Sequence, residues 1–123
     1  MRNLAVLALA LGLAACATDA TAPSTSVEGS YSLQRINGTA LPYTFSNGVQ
    51  LVSDRLVLGT DGTFTDIARY GNGQSSTEVG YYTSLNGSIT FNDQTSGITY
   101  QGSLSGTVLT QIVSGFTQTY QKN

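Results

Sequence analysis

Few side chains in this 123-residue sequence could do chemistry: one cysteine, Cys16, seven carboxylates and no histidine. Without histidine there is no Ser-His-Asp or Cys-His nucleophile activation and no ordinary general base near neutral pH. Zinc sites of the common Cys/His type are excluded with it. The carboxylates are Asp19, Glu28, Asp54, Asp61, Asp66, Glu78 and Asp93. A pair of them about 5–10 Å apart would suffice for glycoside hydrolysis. Asp54 and Asp61, however, are expected near strand ends or turns, where aspartate caps the backbone. Asp61-Gly62 lacks the further oxygen ligands of a calcium loop and reads as a hairpin turn. The expectation is a protein that is not an enzyme, with no catalytic residue, no metal and no cofactor.

Asp66 is the carboxylate placed most pointedly. It shares a predicted strand, Thr63 to Tyr70, with Arg69. If Phe64, Ala68 and Tyr70 point inward, alternation carries Asp66 inward too. The opposite phase buries Arg69 instead. Asp66 is then either a solvated position on a strand covered on one side, or a polar anchor for a small ligand.

Cys16 ends the run Leu13-Ala14-Ala15-Cys16, behind Met1-Arg2-Asn3 and an unbroken apolar stretch, Leu4 to Leu13. That stretch suits a signal-peptide core and is shorter than the roughly 20 residues of a membrane-spanning helix. The whole arrangement resembles the lipobox of bacterial lipoproteins. A signal cut at an Ala-x-Ala-like site, leaving Cys16 a free thiol, is the alternative. The resemblance implies removal of residues 1–15 and acylation of Cys16, so that the lipid bilayer is the first partner. Two or three chains at about 0.8 kcal/mol per buried methylene hold a protein stably where one does not. Ala17, where aspartate would favour retention in the inner membrane, implies the outer membrane, facing the periplasm. Up to Ser26 the chain has no large apolar side chain and reads as a tether, residues 16–26, with a reach of about 18 Å.

Residues 27–123 are left for one domain. The net charge of −2 is weak and scattered, so no nucleic acid is expected as a partner. Turn signals recur at Asn37-Gly38, Asn47-Gly48, Asp61-Gly62, Asn72-Gly73, Asn86-Gly87, Ser96-Gly97, Ser105-Gly106 and Ser114-Gly115. Asn-Gly and Asp-Gly tolerate positive φ at both central positions, as type I′ hairpins require. The segments between them are rich in Thr, Tyr, Val and Ile, and several alternate, as in Ile89/Phe91 and Phe116/Gln118/Tyr120. Adjacent Tyr81 and Tyr82 must face opposite sides. The pattern predicts an all-β fold. The favoured form is a small antiparallel up-and-down β-barrel of about eight strands, because short connections force neighbours to pair. A β-sandwich is the alternative.

Gly29-Ser30-Tyr31, Asp61-Gly62-Thr63-Phe64, Gly80-Tyr81-Tyr82 and Tyr100-Gln101-Gly102-Ser103-Leu104 carry a second resemblance, to bacterial lipocalin-like (calycin-type) domains. It runs over most of residues 29–122, with Tyr31 where that family has tryptophan. It implies a lumen that binds a ligand. The candidate lumen residues are Tyr31, Leu33, Leu56, Leu58, Phe64, Asp66, Ile89, Phe91, Tyr100, Leu104, Phe116 and Tyr120. The leading expectation is a small apolar ligand. The alternatives are an envelope-protein or hydrolase-inhibitor module acting through loops such as 71–76, and a structural or stress-related envelope protein with no discrete ligand.

Overall fold

The computed structural model describes residues 26–123; the expected signal peptide, Cys16 and all of the tether but Ser26 lie outside the described residues. Ten strands follow one another: β1 (Gly29–Ile36), β2 (Thr39–Ala40), β3 (Tyr43–Thr44), β4 (Gln50–Leu58), β5 (Thr63–Tyr70), β6 (Ser75–Leu85), β7 (Ser88–Asp93), β8 (Thr99–Ser105), β9 (Val108–Val113) and β10 (Phe116–Lys122). From β4 to β10 each strand pairs antiparallel with the next. β1 then closes the sheet on itself: Tyr31 lies opposite Lys122 of β10 on one side and Leu56 of β4 on the other. Eight strands therefore form a closed barrel, and the two-residue β2 and β3 attach to β1 and β4 at one end. Closure excludes the sandwich and leaves none of the eight as a free edge.

Turn chemistry sets this topology, in two ways rather than one. At Asn37-Gly38, Asn86-Gly87 and Ser114-Gly115 both residues have positive φ, the type I′ geometry whose twist suits a two-residue hairpin. At Asn47, Asp61 and Asn72 only the following glycine does. There the side-chain Oδ1 accepts the backbone N–H two residues on, from Val49, Thr63 and Gln74. That local bond stabilises a longer loop and withholds the residue from the left-handed region.

Alternation fills the interior. Tyr31, Leu56, Leu58, Phe64, Ile89, Phe91, Leu109 and Tyr120 are almost wholly buried. Phe64 and Phe91 meet edge to face at 5.5 Å, and Phe91 stacks on Tyr100 at 5.1 Å. Each such ring contributes on the order of 1.5–3 kcal/mol by leaving water. Glycine makes room for them: a Cβ on Gly80 would sit 2.7 Å from Phe64 Cε2 and closer still to the Asn92 carbonyl. Tyr81 is exposed and Tyr82 half-buried, as adjacency requires.

The two ends of the barrel differ. At the end where β1 begins, the chain from Ser26 to Glu28 passes beside Ser84–Gly87 and Leu104. Val27 is buried there, and its carbonyl accepts the Tyr31 hydroxyl at 2.6 Å. With Tyr31 wholly buried beneath Val27 the interior is sealed at this end, and that burial, the largest influence, pushes the Tyr31 phenol up to about 12. The opposite end is open.

Candidate functional site

The open end holds a cavity of about 170 Å³. β4, β5 and β6 supply its acidic wall. Asp54 reaches it by alternation with Leu56 and Leu58, and a bulge between Leu51 and Ser53 resets the phase of β4 so that Leu51 points inward as well. The expectation that Asp54 caps a strand end is thus corrected: it lies mid-strand and buried. Asp66 lies directly opposite Glu78 across β5 and β6, and one diagonal step from Asp54. The inward phase of β5 is the one with Phe64, Asp66 and Ala68 buried, and Arg69 is exposed. Asp61 is the hairpin residue expected.

Tyr100, Gln111 and Gln118 form the far wall, and Phe45, Leu51, Ala68, Tyr70 and Val113 give the cavity an apolar rim. Among the described residues no lysine or arginine lines it. The Tyr120 hydroxyl beneath donates to Asp54 Oδ1 at 3.2 Å, with Gln118 Oε1 equally near. Asp66 is only 8% exposed and its Oδ1 has no partner among the described residues; Gln111 is 1% exposed, and neither its Nε2 nor its Oε1 has one there. An orphaned buried polar atom costs about 1–3 kcal/mol, and three converge on one small space.

Burial first, then the hydrogen bond to Asp54 and the charges of Asp54, Glu78 and Asp93, push the Asp66 carboxyl up to about 10. Burial also raises Asp54, against the opposing effect of hydrogen bonds from Asp66 and Tyr120. The pair therefore holds one proton through neutral pH, with Asp66 donating it to Asp54. Glu78, more exposed, is raised by its own burial and by Asp93. Asp93, nearly fully buried, serves the fold: its Oδ1 accepts the N–H groups of Thr95 and Ser96 and ties down the β7–β8 loop.

Of the residues expected to line a lumen, Asp66 and Tyr100 face this cavity. Tyr31, Leu33, Leu56, Leu58, Phe64, Ile89, Phe91 and Tyr120 are buried against one another, with Leu104 and Phe116 half-buried beside them. Sequence reasoning missed Asp54, Glu78, Gln111 and Gln118 as cavity residues. The signal was there in the alternation: Gln111 keeps phase with Leu109 and Val113, and Glu78 with Gly80 and Tyr82.

Among the described residues no group of three or more Asp, Glu, Cys or His is arranged to hold a metal ion. No family model matches the chain, and no curated protein matches its sequence. Among solved structures it is similar to a lipocalin-like protein from Bacteroides uniformis, at 16% identity and a TM-score of 0.53. The match covers 79% of this chain and 98% of that one. At that identity the likeness is one of fold: a lipocalin-like barrel.

Proposed function

We propose that this chain is a non-enzymatic binding module of the bacterial cell envelope, held to the outer membrane through acylated Cys16 and facing the periplasm. Its barrel takes a small molecule at the open end. The observation carrying the binding reading is the contrast within the barrel: side chains packed against one another through its middle, and at the open end a cavity into which unpartnered buried polar groups point. Lipocalin-like barrels are binding folds, which supports the same reading. The anchor rests on the lipobox resemblance.

The cavity narrows the ligand. A drug-sized molecule needs about 300–1,000 Å³, whereas a cavity near 150 Å³ takes a benzene-sized one. The ligand is therefore compact, with an apolar body against Phe45, Leu51, Ala68 and Val113. The test is a methyl-region NMR titration with benzene-sized probes: toluene, benzyl alcohol and benzylamine. At least one should shift Leu51, Ala68 and Val113 in a saturable way, and Ala68→Trp, which fills the space, should abolish the response. Probes that leave those methyls unmoved would overturn this assignment.

A further inference from the structure

We infer that the ligand is a small organic cation, a compact primary amine whose ammonium group is received by Asp54, Asp66 and Gln111 beneath an apolar rim. The inference rests on the cavity assignment above and names the chemistry of its occupant.

Three observations carry it. The first is the wall, three carboxyl groups from three adjacent strands with no basic side chain lining it among the described residues. An anion would be repelled there, and a wholly apolar ligand would cover carboxyl groups without satisfying them. The second is independent of the acids. Gln111 is the most deeply buried residue lining the cavity, and both atoms of its amide lack a partner. Together with Asp66 Oδ1 it offers two free acceptors, and Asp54 adds a carboxylate; an ammonium brings three N–H donors. The third is the rim. Phe45, Tyr70 and Tyr100 line the same space, and aromatic faces attract cations within about 6 Å. A divalent metal fits less well, since no metal-holding group is found among the described residues.

Binding has a proton consequence. The titratable groups lining the cavity are Asp54 on β4, Asp66 and Tyr70 on β5, Glu78 on β6 and Tyr100 on β8. Behind them lie Asp93 at the end of β7, whose charge acts on Asp66, and Tyr120 on β10, hydrogen-bonded to Asp54. The protein carries one proton on the Asp54–Asp66 pair. When the ammonium arrives with its own charge, the second carboxylate is no longer repelled and the Asp66 O–H proton leaves to solvent. The pair is then doubly ionised around the cation.

The experiment is calorimetry on the complete chain at pH 7, with benzylamine, benzyl alcohol and benzoate as probes. Benzylamine should bind at least tenfold more tightly than benzyl alcohol, benzoate should not bind, and binding in buffers of different ionisation heat should show proton release. Asp66→Asn should lose the tenfold preference. Should that variant fail to fold, Glu78→Gln, at a half-exposed position, should still reduce it severalfold. Equal binding of amine and alcohol overturns the cation inference and leaves the cavity assignment standing. Binding of neither overturns both, and tight calcium binding that excludes benzylamine overturns the organic cation.

Discussion

At the scale of single residues, Asp66 couples the site to the stability of the fold. Its carboxyl is raised from 3.8 to about 10 by burial and neighbouring acids. The folded state therefore binds more protons than the unfolded chain between those values, and stability must fall as pH rises through that window. The sign is opposite to that of a salt-bridged aspartate. Asp54 and Glu78, also raised, act in the same direction. We expect urea unfolding to show greatest stability near pH 4, declining by up to about 1.4 kcal/mol per pH unit for one proton. Asp66→Asn should flatten the decline and stabilise the protein above neutrality. A variant with an unchanged slope would show that the proton sits elsewhere. The sequence already contained half of this arrangement. Alternation on β5 offered an inward Asp66 as one of two phases, but it could not show that Asp54, Glu78 and Gln111 meet it, because each lies on another strand and only register brings them together.

At the scale of elements, strands here are shaped by what they leave out. Gly80 of β6 sits across from Phe64, and the ring occupies the space a side chain would take. Gly102 of β8 stands in the same relation to Phe91, whose Cε2 would be 3.1 Å from an added Cβ. Gly80→Ala should therefore cost about 2–3 kcal/mol through overpacking, read as a lower urea midpoint at an unchanged m-value. No loss would mean that both the Asn92 carbonyl of β7 and the Phe64 ring can give way. Nothing in the local sequence marks these close approaches, since a ring or carbonyl arriving from a neighbouring strand leaves no local trace. The turns were more legible. The eight Gly-containing dipeptides all fall at turns with positive φ at glycine, although the Asx-type loops at Asn47, Asp61 and Asn72 replaced the expected type I′ geometry. The bulge in β4 had no signal in composition, and it is what turns Leu51 inward beside Asp54, which alternation with Leu56 and Leu58 already places inside.

At the scale of the whole molecule, closure is a long-range event: β1, first in the chain, joins β10, last in the chain, to β4. Turn spacing and short connections pointed to this meander, while the choice between barrel and sandwich lay in that final pairing. The proposed anchor also belongs to this scale. Cys16→Ser should move the protein from the membrane pellet to the supernatant of envelope fractions, and mass spectrometry should find the acyl adduct on Cys16 in the unaltered protein. A membrane-bound Cys16→Ser variant would overturn the anchor.

Ser26, where the described chain begins, lies at the sealed end, beside Val27 and the β6–β7 hairpin. A lipid joined upstream would hold the molecule by its base, so its aperture would look into the aqueous compartment instead of toward the bilayer. Cargo would then enter more readily from solution than sideways out of a leaflet, which suits a water-soluble guest better than a greasy one.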